Sequence, residues 1–344
     1  MQMNRRQLIQ WAGATAALAS LPATTFAAQD HLKPARLRAG DAVALVAPAT
    51  VNYDRLRVQL AVETLEAMGL QVDVGKHVLD RFGYLAGTDA DRAADLNRAF
   101  ADPDIKAIFP LTGGWGASRL LPLLDYRSIA RNPKILLGYS DITSLLNGIH
   151  ARTGLVTFHG PNAWSEWNEF SYRSMHQLLF EAEPLAYNNP QDRGVDLVAK
   201  DNRTRTINGG LASGKLIGGN LTLVAALLGT PYLPAFDGRI LFLEDVGEAI
   251  YRVDRMLTQL ALAGQLQRLA GIVFGQFTGV APQPGLGNFS LMDILRQHCE
   301  PLGVPCYYGA MFGHVNHNST LPVGISATMD ATAGTLVLNE PAVT

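Results

Sequence analysis

The sequence predicts an α/β protein in which a parallel sheet, covered by helices on both faces, is followed by a smaller, mainly β or mixed domain. Three observations indicate this fold class. Short apolar runs alternate with helical patterns through the first half of the chain, as in doubly wound sheets. A polar stretch rich in chain-breaking residues follows at 188–208. Beyond it, short strands and glycines predominate, with too few helices for a second sheet of the same kind.

The first half shows a regular series of strand and helix signals. Helical spacing predicts helices at 56–68 and 142–151, and Thr88 can cap a third that runs through 94–100. Ligands of such sheets bind beyond the carboxyl ends of the strands, so functional residues are expected in the loops there. Apolar runs predict the strands at 43–47, 71–74, 105–110, 135–138 and 155–158.

The second half carries fewer signals. Two strands are predicted at 239–244 and 271–274, with a helix at 249–262 between them. The change in composition divides the chain into domains. We expect a first domain at 28–187, a linker at 188–212 and a second domain at 213–344.

The first residues are typical of an export signal. Arg5 and Arg6 precede an apolar stretch at 11–21, and small residues up to Ala27 suit a signal peptidase. An uncleaved anchor helix is the alternative, but the apolar run is too short to span a bilayer comfortably. We therefore expect a twin-arginine signal peptide at 1–27, a mature chain in the periplasm, and no later membrane-spanning segment.

The composition is that of a globular protein. Of 344 residues, 48% are hydrophobic and 17% charged, which excludes a generally disordered chain. The formal net charge of −2 provides no long-range attraction to nucleic acid. Cys299 and Cys306 are too few for a disulfide framework. They could pair across a short loop, but we favour two small buried apolar residues.

A sharp strand-to-helix turn carries the first candidate catalytic residue. The apolar strand ending at Gly138 leads through Tyr139 into Ser140 and then a helix. A serine at such a turn projects from the sheet beside free helix amides, which can hold a developing oxyanion. The match to G-x-S-x-G is incomplete because Ile142 replaces the second glycine. A helix cap formed by Ser140 or Asp141 explains this segment alone equally well.

A glycine-rich loop at 112–118 follows the predicted strand at 105–110. Its backbone can approach a ligand closely, and its free amides favour negative charge. The loop lacks the spacing and the lysine of a phosphate-binding loop, so donation to an oxyanion is the better use. A plain glycine turn is the alternative.

A nucleophilic serine needs a base, and the sequence contains eight histidines. His159 follows a predicted strand and could line the cleft. His314 lies in a loop rich in glycine and asparagine, where functional residues concentrate. A metal site at His314 and His317 is not supported, because no HExxH motif and no suitably spaced third ligand accompanies them.

The base in turn needs an orienting acid. The apolar strand at 240–243 ends in Glu244. A carboxylate at the mouth of such a strand is costly to desolvate without a partner, and an imidazolium would supply one. Asp245 and Glu248 are expected to be solvated residues of the strand end.

Taken in order along the chain, several short segments resemble the LD-carboxypeptidase family, which also includes the microcin-immunity peptidases. They extend over 34–324, and although any one is weak, the ordered set is highly specific. The segments are Val46-Ala47-Pro48-Ala49, Gly113-Gly114-Trp115-Gly116, Arg119-Leu120-Leu121-Pro122, Gly138-Tyr139-Ser140-Asp141, His159-Gly160-Pro161, Gly218-Gly219-Asn220-Leu221, Leu243-Glu244-Asp245-Val246-Gly247-Glu248, Asp254-Arg255-Met256-Leu257 and Phe312-Gly313-His314.

The resemblance implies a Rossmann-like N-terminal domain, a smaller β-rich C-terminal domain and commonly a homodimer. The family's nucleophile falls on Ser140, its acid on Glu244 and its base on His314. Its oxyanion amides fall on Asp141 and Gly114. Neither a cofactor nor a metal is implied.

The resemblance also implies a reaction: hydrolysis of the L,D amide before a terminal D-alanine of murein tetrapeptides, through an acyl-enzyme. Two alternatives are an amidase acting on aminoacyl-nucleotide or other peptide-like antibiotics and, in another class, a periplasmic solute-binding protein. Trp115 stands where the family often has tyrosine, which leaves the triad intact but the substrate preference open. Because the candidate residues come from both halves of the chain, we expect the site in a cleft between the domains.

Overall fold

The structure is a computed structural model that describes residues 32–191, 195–281, 287 and 289–344. The export signal predicted at 1–27 lies outside these described residues. The described residues from Leu32 to Thr344 form one compact unit. None of the helices in the described part of the chain is both long and apolar enough to cross a membrane.

The first sheet contains five parallel strands in the order β5-β4-β3-β1-β2, with a sixth strand, β12 (Leu321–Val323), at its edge beside β5. This confirms the parallel sheet expected from the alternating pattern. The last of these strands begins two residues later than predicted. Their bounds are β1 (Ala42–Val46), β2 (Gln71–Val74), β3 (Ile105–Pro110), β4 (Ile135–Gly138) and β5 (Thr157–His159).

Helices connect the parallel strands, as predicted. Thr88 caps α2 in a capping box, in which the Asp91 amide donates a 3.2 Å hydrogen bond to the Thr88 hydroxyl. Short 3-10 helices at Ala117–Leu123 and Ser140–Ile142 follow the loops after β3 and β4. The α-helices of this half are α1 (Arg55–Ala67), α2 (Asp89–Ala101), α3 (Tyr126–Arg131), α4 (Thr143–Thr153) and α5 (Glu169–Leu179).

The second sheet is mixed, in the order β6-β14-β13-β8-β9-β10-β11-β7. The central strands from β8 to β11 are parallel, and the outer strands pair antiparallel. Its strands are β6 (Ala186–Tyr187), β7 (Arg205–Asn208), β8 (Leu211–Asn220), β9 (Ile240–Val246), β10 (Gly271–Thr278), β11 (Cys306–Gly313), β13 (Ser326–Asp330) and β14 (Thr335–Leu338).

The helices of the second half are α6 (Leu221–Ala226), α7 (Ile250–Leu262) and α8 (Leu291–Cys299), with 3-10 turns at Leu266–Arg268 and Glu300–Leu302. Cys299 and Cys306 are buried with free thiols, which agrees with their interpretation as small apolar residues. This half therefore combines a mixed sheet with few helices.

The two halves share one strand and several hydrogen bonds. β12 (Leu321–Val323) pairs antiparallel with β5, so the C-terminal part of the chain completes the first sheet. The sequence did not predict this strand, because three residues are too short to show a period. In addition, the Asn220 amide donates to the Thr143 hydroxyl of α4 at 3.0 Å. The domain boundaries at 28–187, 188–212 and 213–344 stay a prediction.

Candidate active site

Ser140 occupies a strained turn between β4 and α4. Its φ angle is +62°, in the left-handed region that residues other than glycine seldom adopt. Such a conformation costs about 1–3 kcal/mol and concentrates at functional sites. Within the described residues, no side chain caps the 3-10 helix Ser140–Ile142 or α4. The turn therefore supports a projecting nucleophile over a helix cap.

The glycine loop after β3 lies directly against this turn. A Cβ atom on Gly113 would be 2.8 Å from the Ser140 Cβ and 3.3 Å from the Asp141 amide nitrogen, so only glycine fits there. The next amide along the chain is that of Gly114, whose φ is +110°. Gly113 makes the close approach to Ser140, and the role of the Gly114 amide in an oxyanion hole stays a prediction.

The Asp141 side chain joins the two loops. Its carboxylate is 3% exposed and accepts a 2.7 Å hydrogen bond from the Ala117 amide. Burial raises the pKa of Asp141, while the Ala117 amide and Arg92 act in the opposite direction. The carboxylate thus holds the glycine loop against the turn that carries Ser140.

Glu244 and His314 form a hydrogen-bonded pair. Glu244 lies near the end of β9 with no exposed surface, and its Oε2 is 2.7 Å from Nδ1 of His314. Gly313 precedes the histidine with a φ of +116°, and a Cβ there would lie 2.9 Å from the Glu244 Cβ. A glycine is therefore needed for the end of β11 to approach β9 so closely.

Asn220 and Asp245 surround the buried carboxylate. The Asn220 side-chain amide donates to Glu244 Oε1 at 3.3 Å and to Asp245 Oδ1 at 3.0 Å. Asp245 is 2% exposed, so the expectation that it is solvated is wrong. The Thr222 amide and hydroxyl replace water by donating to it at 3.0 and 2.9 Å. Burial and the neighbouring Glu244 raise the pKa of Asp245 to about 6.

The loop that carries His314 is tied to α5 of the first half. The Asn318 side chain accepts a 3.0 Å hydrogen bond from the Gly313 amide. The Asn318 amide donates to the Ser171 hydroxyl at 3.0 Å, and that hydroxyl donates to the Asn316 carbonyl at 3.2 Å. His314 is thus positioned by contacts from both halves.

Two neighbouring cavities form one cleft at these residues. The smaller has a volume of about 180 Å³ and contains Ser140 and His314 in its wall; the larger has about 360 Å³ and extends beyond His314. Tyr139, Trp164, Ser165 and His314 line both cavities, which therefore adjoin each other. The rest of the smaller cavity is lined by Leu111, Thr112, Gly113, Gly114 and Asn162, and the rest of the larger by Pro161, Glu166, Val315, Asn316 and Asn318.

The sequence matches the family models for the LD-carboxypeptidase N-terminal domain at 43–160 and C-terminal domain at 213–329. It is 36% identical to the "Probable murein peptide carboxypeptidase" of Bacillus subtilis over 312 residues, which cover 90% of this chain and 94% of the relative. The chain belongs to the LD-carboxypeptidase family. The family recognised from the order of the motifs is thereby confirmed, and the protein is a serine-type carboxypeptidase, a hydrolase.

Other members and related structures cover nearly the whole LD-carboxypeptidase chain. The "Murein tetrapeptide carboxypeptidase" of Pseudomonas aeruginosa is 37% identical, over 84% of this chain and 92% of the relative. A solved structure of MccF in complex with glutamyl sulfamoyl guanosine superposes with a TM-score of 0.81 at 27% identity, over 91% of this chain and 100% of that chain.

His159 does not line either cavity of this LD-carboxypeptidase, so the expectation that it could line the cleft is wrong. Its ring is fully buried, with the rings of Tyr139, Phe242 and Phe312 arranged edge to face at 6.2, 5.5 and 6.1 Å. Neither ring nitrogen has a hydrogen-bond partner among the described residues. Burial lowers the pKa of His159 to about 4, and the ring is therefore neutral at pH 7.

His77 has an acidic environment that the sequence did not predict. Within the described residues, His77, Asp80 and Asp91 are close enough together to hold a metal ion. Nδ1 of His77 is 2.6 Å from Asp80, however, and Nε2 is 4.0 Å from Asp91. The two ring nitrogens thus face different carboxylates, an arrangement that fits hydrogen bonding better than a shared metal. His31, to which the sequence assigned no role, lies outside the described residues.

Proposed function

We propose that this LD-carboxypeptidase hydrolyses the L,D amide before a terminal D-alanine of murein tetrapeptides with a Ser140, His314 and Glu244 triad. The observation that carries the proposal is the hydrogen bond between buried Glu244 and His314, because His314 lines the same cavity as a serine on a strained turn. The Bacillus and Pseudomonas relatives, which are named as murein peptide carboxypeptidases, support murein peptides as the substrate class.

Acylation would begin when His314 takes the proton of the Ser140 hydroxyl. The serine oxygen forms a bond to the scissile carbonyl carbon, and the amides of Asp141 and Gly114 hold the resulting oxyanion. Collapse breaks the carbon–nitrogen bond, and His314 returns the proton to the leaving amine of D-alanine. Nδ1–H donates to Glu244 throughout, which fixes the tautomer and stabilises the imidazolium.

Deacylation repeats these steps with water. His314 takes a proton from water, the hydroxide attacks the acyl carbon, and the Ser140 oxygen leaves with the proton that His314 returns. The three residues account for every proton transfer in acylation and in deacylation. The proposal therefore involves no metal, and chelation by EDTA should leave turnover unchanged.

A substrate comparison tests the proposal. Purified mature enzyme would be incubated with a murein tetrapeptide, with the matching tripeptide and with an aminoacyl-nucleotide, and the products identified by mass spectrometry. We expect D-alanine and the tripeptide from the first substrate alone. Binding of the tetrapeptide without turnover would instead favour the solute-binding alternative.

An amidase that cleaves aminoacyl-nucleotides is the second candidate. The observation that favours it is the structural similarity to MccF, crystallised with glutamyl sulfamoyl guanosine. Export counts against it, because an exported enzyme would not meet a toxin of the cytosol. Cleavage of the aminoacyl-nucleotide but not the tetrapeptide would establish this candidate.

The twin-arginine route is part of the proposal. The paired Arg5 and Arg6 before an apolar stretch support export to the periplasm. Replacing both by lysine should leave the protein in the cytoplasm with its leader attached. Fractionation and the mass of the mature chain would measure this, and normal periplasmic recovery of the variant would contradict the route.

Two structural expectations also stay proposals. We propose a homodimer, which follows from the family resemblance and which light scattering coupled to gel filtration would detect. We also propose domains at 28–187 and 213–344 joined at 188–212. Cleavage within this segment by limited proteolysis would support those boundaries.

A further inference from the structure

Glu166 is a carboxylate in the cleft to which the catalytic steps assign no role. It lines the larger cavity together with Tyr139 and His314. Among the described residues, no hydrogen bond or ion pair engages its side chain. The other side chains around this cavity carry no fixed charge: they are Pro161, Trp164, Ser165, Val315, Asn316 and Asn318.

The segment around Glu166 is held in place by hydrogen bonds. The Trp164 amide donates to the Leu111 carbonyl at 3.0 Å, at the end of the neighbouring strand. The Asn162 amide donates to the Ser165 hydroxyl at 3.0 Å, and the Trp167 indole donates to the Asn162 carbonyl at 3.2 Å. The backbone on both sides of Glu166 is therefore anchored, which places its exposed side chain at the cavity wall.

The negative charge of Glu166 acts on the interior of the cleft. Burial raises the pKa of the Tyr139 hydroxyl, the Ser165 side chain lowers it, and the carboxylates of Glu244 and Glu166 raise it further. Glu244 is already neutralised in the reaction by the histidine it contacts. Glu166 has no such partner among the described residues. The Arg57 guanidinium is nearby, 5.4 Å from the centre of the Trp164 ring, but it forms no ion pair with Glu166.

An unpaired carboxylate beside a reaction centre favours a cationic group on the substrate. In a tetrapeptide with an acylated N-terminus, the D-alanine nitrogen belongs to the scissile amide. The remaining basic nitrogen is the distal amine of a diamino acid, which is an ammonium at neutral pH. We propose that Glu166 is a specificity-determining residue that binds this primary ammonium, an inference that rests on the proposed function.

The test compares two N-acetylated tetrapeptides that differ by one group. One contains diaminopimelate, and the other contains 2-aminopimelate, which lacks only the distal amine. Glu166→Gln should raise KM for the diaminopimelate peptide roughly fivefold, the size expected of a partly solvated ion pair. The KM for the 2-aminopimelate peptide should change less than twofold. Glu169→Gln is the matched control, because Glu169 is an exposed glutamate of the same segment that lines neither cavity.

Equilibrium binding separates this inference from the proposed function. Ser140→Ala and Ser140→Ala/Glu166→Gln would be titrated calorimetrically with both peptides. A preference for the diaminopimelate peptide that disappears with Glu166→Gln supports the inference, even if the wild-type enzyme hydrolyses neither peptide. Equal weakening of both peptides, an equal effect of Glu169→Gln, or no effect of Glu166→Gln would overturn it.

Discussion

The two sides of the cleft are positioned by different physical means. On the first side, mainly backbone geometry places Ser140, through a strained turn and a glycine contact at Gly113. One side-chain hydrogen bond, from the Ala117 amide to the Asp141 carboxylate, adds to it. On the second side, side-chain hydrogen bonds between separate strands place Glu244 and His314.

This difference indicates how each side should fail. The side that carries Ser140 should be most sensitive to an increase in side-chain volume, because a single added methyl group at Gly113 would overlap Ser140. The side that carries Glu244 and His314 should be most sensitive to substitutions that remove a charge or a hydrogen-bond donor. A carboxylate with no exposed surface is stable only while its donors are present. The following experiments break or sharpen the comparison, from the largest expected effect to the smallest.

Ser140→Ala should lower kcat by at least about 10⁴-fold, because the residual rate would come from binding and the oxyanion donors alone. Steady-state kinetics with a tetrapeptide would measure the loss, and circular dichroism should show an unchanged fold. Ser118→Ala, in the neighbouring loop, is the control. Turnover of Ser140→Ala near the wild-type value would show that Ser140 has a structural role and is not the nucleophile.

Glu244→Gln should lower kcat by about 10²–10⁴-fold with little change in KM. Glutamine keeps the shape but removes the charge that stabilises the imidazolium in the transition state. Kinetics of Glu248→Gln provide the control, since Glu248 lies near the same strand end and pairs with Arg252 at 3.5 Å. A rise in KM alone would show that Glu244 acts on substrate binding instead.

Gly113→Ala should lower kcat by about 10²-fold, because the new Cβ displaces the turn that supplies an oxyanion amide. Gly40→Ala is a suitable comparison: Gly40 also occupies a turn, with a φ of +90°, but has open space around it. Gly40→Ala should affect stability rather than turnover. Equal loss of turnover in both variants would show that the effect is not local to the cleft.

His159→Phe should make the protein less sensitive to acid. The pKa of His159 is lowered in the folded state to about 4, so the unfolded chain binds the proton first as the pH falls from about 6.5. Wild-type stability is therefore lost between these values, by roughly 3 kcal/mol in total. Denaturant unfolding of both proteins at pH 7.5 and pH 4 would measure the difference, which should appear only at the lower pH.

Ser140→Gly should unfold at higher denaturant concentration than Ser140→Ala, by about 1 kcal/mol, because glycine adopts the left-handed conformation without strain. Both variants lack the Ser140 hydroxyl and differ by one methyl group, so the comparison reports mainly the strain that a Cβ atom adds in this conformation. Equal stability would mean that the turn does not store strain in solution.

The sequence by itself determined the features that depend on neighbouring residues. The alternating pattern predicted the parallel sheet, and the Gly138-Tyr139-Ser140 turn predicted a serine at a strand end. These features are local because strand period, helix spacing and turn chemistry act over a few residues. The order of the motifs was equally informative about the family, since it requires no knowledge of contacts.

Tertiary structure alone decided which polar residues are buried and which strands exchange between the halves. The sequence predicts that Asp245 is solvated at a strand end, whereas in the structure Thr222 and Asn220 donate hydrogen bonds to it in a buried position. His159 follows a strand toward the cleft, yet it packs among aromatic rings, and β12 joins a sheet whose other strands lie far earlier in the chain. Burial is set by the sum of long-range contacts, and those contacts have no period along the sequence that could predict them.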